Sequence, residues 1–323
     1  MATRFEFVLA GTEAAQLRAA GEEAFDEIER IEAQLSLYRA SSEIAQVNAR
    51  AADEPVKLSP PVFELLQRAR ILWEVTGGSF DVTIAPLVRC WGFMKGSGAR
   101  PDDQAIREAR AAVGMNLVEF SDSDCSIRFL RRGMMLDLGS LGKGYALDAA
   151  AQVLRDAGLE NALLHGGTST IYGMGTSPDG SPWKVGVEEP ALEAESDPAT
   201  QQPVLSVVEL SNQALSVSAA SGKFFVVEGK RYGHVIDPRS GWPAESALLG
   251  AAILDSAADS DALSTAVLLA RESDFESMVT RVSGLRYLQA RAVDTKPKSG
   301  RQAKAKQITI LSTPDFGRSS PTL

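Results

Sequence analysis

Met135-Leu136-Asp137-Leu138-Gly139-Ser140-Leu141-Gly142-Lys143-Gly144-Tyr145-Ala146-Leu147-Asp148 is the stretch on which the fold reading turns. Residues 135–139 read as a buried strand that runs into a glycine-rich turn. A helix is expected over about 143–157, stopped by Gly158 where a helix C-terminus favours glycine. Strand, turn and lysine invite comparison with the P-loop, which needs Gly, four spacers, then Gly-Lys-Ser/Thr. Four residues before Gly142 stands Leu138, and Gly144 takes the place of the hydroxyl residue, so this is not a P-loop. Glycines ahead of a helix N-terminus with a lysine still attract phosphate. A plain strand-to-helix turn with a solvated lysine is the alternative.

Upstream, Phe5, Phe7 and Leu9 alternate with polar neighbours as in a strand. Leu17, Ala20, Ala24, Phe25, Ile28, Ile31 and Leu35 recur at helical spacing. A second helix is expected over 60–75, with Pro60 and Pro61 in its first turn, and a polar one over 101–113. Short strands are expected near 118–120 and 126–129. Downstream, strands are expected at 162–165, 183–187, 204–210, 224–227 and 247–254, helices at 259–271 and 273–283, and strands at 285–290 and 308–311. Residues 190–203 read as an exposed acidic loop and 291–306 as a basic loop. Helices and strands alternate without a strict βαβ rhythm. One α+β domain over 1–323 is therefore expected, with mixed sheets and flanking helices, rather than a doubly wound parallel sheet.

A formal net charge of −9 argues against non-specific binding of nucleic acid, which needs lysine and arginine to neutralise phosphates. An acidic protein that holds an anionic ligand needs a local remedy, such as a metal ion or a nest of backbone amides. No run approaches the roughly 18 apolar residues that a membrane span needs. Cys90 and Cys125 are the only cysteines, and His165 and His234 the only histidines, so no disulfide framework or His/Cys metal site is expected. The first nine residues lack the pattern of a secretory signal. The expectation is a cytoplasmic chain, or a periplasmic one whose leader has been removed.

Four further segments could carry chemistry. In Thr76-Gly77-Gly78-Ser79-Phe80-Asp81, Asp81 is either a carboxylate beside a stacked ring or a helix cap. His165-Gly166-Gly167-Thr168-Ser169-Thr170 could wrap a polar ligand or form a plain hairpin turn. In Gly233-His234-Val235-Ile236-Asp237-Pro238, the histidine is a candidate acid–base group or a hydrogen-bonded structural residue. In Ala258-Asp259-Ser260-Asp261-Ala262-Leu263-Ser264-Thr265, Asp261 and Thr265 share a helix face. A carboxylate and a hydroxyl are hard ligands suited to Mg²⁺. Otherwise Asp259 or Asp261 is a helix N-cap and Thr265 bonds back to its own helix.

Taken in order, these segments resemble the ApbE family of FAD:protein FMN transferases over nearly the whole chain. Met1-Ala2-Thr3 looks like the family's Met-Gly-Thr, and Leu35-Ser36-Leu37-Tyr38-Arg39 and Ser41-Ser42-Glu43-Ile44 through Asn48 also match. The resemblance implies two intimately packed lobes with FAD in the cleft between them. It places Met1, Tyr38, Ser79, Phe80, Asp81, Asp137, Lys143 and His234 at positions that contact FAD. Asp261 and Thr265, with the carbonyls of Ser140 and Ser264, are placed at Mg²⁺. His234, Asp261 and Lys143 are the expected catalytic residues. The implied activity is Mg²⁺-dependent transfer of FMN from FAD to a Thr or Ser of an acceptor protein through a phosphoester, with AMP released. FAD hydrolysis to FMN and AMP, or FAD binding without turnover, are the rival readings. Two motifs depart from the family. Gly-Gly-Asp is here Gly166-Gly167-Thr168, and Thr-Ser-Gly-x-Tyr is here Val217-Ser218-Ala219-Ala220-Ser221.

Overall fold

The computed structural model describes residues 3–11, 13–96, 98–190, 203–220, 222–245, 247–294 and 306–317. Strand β1 (Phe5–Ala10) is followed by α1 (Ala14–Leu35), α2 (Glu43–Arg50), β2 (Val56–Lys57), α3 (Pro60–Val75), α4 (Ala85–Cys90) and α5 (Asp103–Arg110). Next come β3 (Val118–Ser121), β4 (Ser126–Phe129) and α6 (Gly142–Asp156). Strands then dominate: β5 (Asn161–Gly166), β6 (Thr170–Met174), β7 (Trp183–Glu188), β8 (Val204–Leu210), β9 (Gln213–Ala219), β10 (Phe224–Val227), β11 (Lys230–Gly233) and β12 (Ala247–Leu254). The order ends with α7 (Ala257–Leu269), α8 (Glu272–Arg281), β13 (Arg286–Asp294) and β14 (Lys306–Ser312). The architecture is α+β, as the sequence indicated.

The main sheet runs β1-β5-β6-β9-β12-β13-β14, and each pairing in it is antiparallel. Its two faces are covered differently. Leu215 of β9, Leu249, Ala251 and Ile253 of β12, and Leu288 of β13 pack with Trp183, Val185, Val208 and Leu210 of the β7–β8 hairpin. The alternate residues, such as Ala214 of β9 and Ala252 of β12, join the large core built on α1, α3, α6 and α7. That period of two is the pleat of a strand buried on both sides. Helix α7 lies at the centre of this core, and only its Asp259 and Thr265 escape full burial. A third, aromatic core of Leu87, Trp91, Phe93, Ile106, Tyr232 and Ile236 forms a separate lobe across the cleft.

Several expectations need correction. Residues 135–139 form an extended passage, not a strand. The Asp137 N–H donates to the Val82 carbonyl at 2.7 Å, and the Asn48 side chain accepts from the Leu136 N–H and donates to its carbonyl. A side chain stands where a neighbouring strand would be, so no ladder forms. The basic loop is shorter than expected, because β13 and β14 stay paired as far as Asp294 and Lys306. Residues 295–305 lie outside the described residues. So do 191–202 of the acidic loop, whose stem closes where the Glu189 N–H donates to the Pro203 carbonyl at 2.8 Å. Helix α5 begins at Asp103 because the Asp102 carboxylate accepts from the Ala105 N–H at 2.8 Å and caps it.

Candidate active site

The glycine turn and α7 are brought together by two devices. At Gly144 a Cβ would lie 2.0 Å from the Ala257 carbonyl oxygen, so only glycine lets α6 approach the start of α7 this closely. One turn along α6, the Asp148 carboxylate accepts from the N–H groups of Ala257 and Ala258 at 2.7 and 2.9 Å and from the Ser256 hydroxyl at 2.8 Å. Burial pushes the Asp148 carboxyl above its ordinary range, against the pull of those hydrogen bonds. The N-cap of α7 is Ser256, whose hydroxyl accepts from the Asp259 N–H at 3.2 Å. Neither Asp259 nor Asp261 caps the helix, and Asp259 instead pairs with Arg68.

Clamped this way, residues 137–144 meet the face of α7 that carries Asp261. Asp261 is only 3% exposed. Lys143 Nζ donates to its Oδ1 and Oδ2 at 3.2 and 3.3 Å. The Gly144 N–H donates to Oδ2 at 3.2 Å, and the Thr170 hydroxyl to Oδ1 at 3.3 Å. Lys143 Nζ also donates to the Gly139 carbonyl at 3.0 Å. A carboxylate this buried needs charge compensation and hydrogen bonds, and here it has an ammonium and two neutral donors. One helical turn on, the Thr265 hydroxyl is 3.0 Å from that of Ser218 on β9.

Two adjoining cavities meet at this cluster. One, of about 700 Å³, is lined by Asp137, Ser140, Lys143, Ser218, Asp261 and Thr265 on one wall, and by Ile84, Phe93, His234 and Ile236 on the other. Thr168 also lines it. The second, of about 590 Å³, shares Asp137, Gly139 and Lys143 with the first and extends to Thr3, Leu37, Tyr38 and Arg39. Tyr38 is 79% exposed at its edge. Burial raises the Asp137 carboxyl, with the Gly139 N–H, 2.8 Å from its Oδ1, and Lys143 opposing the shift.

His234 faces the cluster from the aromatic lobe. Its Nδ1 lies 3.2 Å from the Lys223 carbonyl, which can only accept, so Nδ1 carries the proton and Nε2 has a free lone pair. Burial lowers the imidazole below its ordinary value of 6.5, which keeps the ring neutral near pH 7. A Cβ at Gly222 would sit 2.6 Å from His234 Cε1, so the glycine makes room for the ring.

The structure therefore gathers Tyr38, Asp137, Ser140, Lys143, His234, Asp261 and Thr265 around one cleft. It does not bring Ser79, Phe80 and Asp81 there. Ser79 donates to the Thr76 carbonyl at 3.0 Å, and Phe80 is 1% exposed within the large core. The Asp81 carboxylate is taken up by the Thr83 N–H and hydroxyl at 2.8 and 2.6 Å. Burial raises its pKa to about 6. Ser264 is also displaced from its expected role: it is fully buried, and its carbonyl lies toward β12, 2.6 Å from where a Cβ of Gly250 would stand. Met1 lies outside the described residues. Thr170, Ser218 and Asp148 join the cluster without having been assigned a role in the sequence, as does Gly144, which was noted there only in the P-loop comparison. For Ser218 the available signal was the alternation of Ser216 and Ser218 with Leu215 and Val217, which marks a hydroxyl face on a strand.

A cleft between two lobes, with a charged cluster on one wall and a neutral imidazole on the other, is the candidate active site. The sequence model of the ApbE family matches residues 1–288. A Vibrio cholerae protein named FAD:protein FMN transferase is 30% identical over 251 residues, covering 76% of this chain and 71% of that protein. One of the same name from Treponema pallidum is 31% identical, covering 78% of this chain and 72% of that protein. The crystal structure of the ApbE protein from Thermotoga maritima superposes with a TM-score of 0.78 at 27% identity, covering 90% of this chain and 91% of that one. The apo form of Pseudomonas stutzeri flavinyl transferase ApbE gives 0.76 at 26% identity, with 98% of each chain covered. The chain belongs to the ApbE family, and its enzyme class is transferase.

Proposed function

We propose that this protein transfers the FMN half of FAD to a Thr or Ser hydroxyl of an acceptor protein, in a Mg²⁺-dependent reaction that releases AMP. The observation that carries this reading is the Lys143–Asp261 contact where the two cavities join. An elongated dinucleotide laid along both cavities has its bridging phosphates beside a fixed ammonium and a buried carboxylate.

Among the described residues no three His, Cys, Asp or Glu side chains cluster as a metal site. Mg²⁺ asks for fewer, since it takes one or two carboxylates and completes its shell with phosphate and water. Asp261 already holds a cation in the form of the Lys143 ammonium, and its neighbours Thr265 and Ser140 offer hard oxygens to the same cavity. These residues fit the ion, with the Asp261 and Thr265 side chains and the Ser140 carbonyl as its holders. When bound, Mg²⁺ supplies charge neutralisation at the pyrophosphate.

The chain's own groups do the rest. Lys143 brings positive charge to the phosphates. Tyr38 offers an exposed aromatic face to a planar ring at the far end of the cleft. Nε2 of His234 accepts the proton of the acceptor hydroxyl, whose oxygen forms a bond to the FMN phosphorus as the bond from that phosphorus to the AMP oxygen breaks. Ser79, Phe80 and Asp81 are assigned to the frame behind the cleft wall.

Incubation with FAD, Mg²⁺ and a Thr-bearing acceptor should give an FMN mass increment on the acceptor and one AMP per increment. FMN and AMP appearing equally without acceptor would make the protein an FAD hydrolase. FAD that co-purifies and yields no AMP would make it a flavin binder.

A further inference from the structure

We infer that Ser218 is a positioning residue that fixes the direction of the Thr265 hydroxyl proton, so that a lone pair of Thr265 faces the cleft. The inference rests on the reading of Thr265 as a metal ligand and deepens it. Three hydroxyls and one carbonyl form a line: Thr265 Oγ1 to Ser218 Oγ at 3.0 Å, Ser218 Oγ to Ser264 Oγ at 2.9 Å, and Ser264 Oγ to the Asp261 carbonyl at 2.8 Å. Each hydroxyl has one hydrogen, and the carbonyl has none.

Counting from the carbonyl end leaves a single solution. Two oxygens at 2.8 Å with no hydrogen between them would repel, so Ser264 must donate to the Asp261 carbonyl. Its hydrogen spent, Ser264 accepts from Ser218. Ser218 in turn has no hydrogen left for Thr265 and accepts from it. The Thr265 proton points at β9, away from the ligand, and its oxygen presents only lone pairs to the cleft that Thr265 and Asp261 both line. A hard cation requires that arrangement, since a hydroxyl hydrogen directed at it would oppose binding. The fully buried Ser264 lines neither cavity, yet anchors the order of the protons.

The test is a Mn²⁺ titration followed by electron paramagnetic resonance, alongside the Mg²⁺ dependence of AMP release from FAD. Ser218→Ala should raise the half-saturating metal concentration about tenfold, in the range for a lost partner behind a metal ligand, and leave much of the rate at saturating Mg²⁺. Ser264→Ala frees the Ser218 hydrogen to turn toward Thr265, so it should shift both readouts in the same direction, though less. Thermal denaturation separates either effect from misfolding. If Ser218→Ala unfolds, Ser264→Ala decides alone. Folded variants with unchanged metal affinity would overturn the inference. Wild-type protein that binds Mn²⁺ but releases no AMP would instead sink the proposed function and leave the hydroxyl order standing. A wild type that binds no metal overturns both.

Discussion

Two buried aspartates line different cavities and differ in what surrounds them. Asp261 is 3% exposed and Asp81 is 5% exposed, so burial does not tell them apart. Their partners do. Asp261 meets an ammonium, a backbone N–H and a hydroxyl, and it lines the larger cavity. Asp81 is held by the Thr83 N–H and hydroxyl with further donors from Trp73 and the Met115 backbone, and burial carries its carboxyl up to about 6. A carboxylate paired with an ammonium at a cavity wall can serve a ligand, whereas one held by hydroxyl and amide donors serves the backbone around it. The lesson is that residue type and burial define a candidate, and compensating charge defines its role.

That contrast can be broken by mutation. The largest effect is expected from Asp261→Asn, which should lower AMP release from FAD by roughly 10³-fold or more, the scale for removing a main charge-stabilising group. Asp81→Asn should stay within a few-fold of wild type at a temperature where it is folded. Equal losses in the two folded variants, read by chromatography of AMP, would erase the distinction.

Next comes His234→Gln, which should cost about 10²-fold in rate, as for a lost general base. Because burial lowers the His234 pKa from 6.5, wild-type activity should fall only as pH drops below that value. The variant should lose this acidic limb. A pH–rate profile with the limb intact would remove His234 from the chemistry.

Gly144→Ala tests the clamp that gives Asp261 its cation. Its Cβ would meet the Ala257 carbonyl, and overpacking of this kind costs about 1–3 kcal/mol. Urea denaturation should show the loss, and AMP release should fall as Lys143 and Asp261 separate.

The smallest effect is electrostatic. The folded Asp81 pKa of about 6 lies above its ordinary 3.8, so the protonated group favours the folded state. Its contribution is complete below about pH 4 and is lost as pH rises through about 6. The melting temperature of wild type, relative to that of Asp81→Asn, should therefore fall from pH 4 to pH 7. A constant gap would mean that Asp81 is not held as described.

Much of this was legible in the chain. The residues of α3, β8 and β12 announce their elements through apolar spacing and flanking turn residues. Asp261 and Thr265 could be placed on one face because helical geometry is local. Strand β9 was harder, since Gln213-Ala-Leu-Ser-Val-Ser-Ala is short, small and half polar, and gains its strand character only between β6 and β12. The burial of Ser79, Phe80 and Asp81 was hard to read for a similar reason. A glycine pair beside an aromatic and an acid says that backbone comes close to something, and only the packing of Phe80 into the large core says to what. Gly144 and Asp148 work across more than a hundred residues of sequence, a distance no motif spans.

Helix α7 packs beneath β9 and β12, the inner strands of a seven-stranded sheet, with nearly its whole surface covered. Its amides can reach solvent only when the sheet itself comes apart. Heat inactivation and global melting should accordingly coincide, and slow hydrogen–deuterium exchange should mark 257–269 as among the last segments to yield. The helix that carries Asp261 and Thr265 should therefore be held or lost together with the sheet above it.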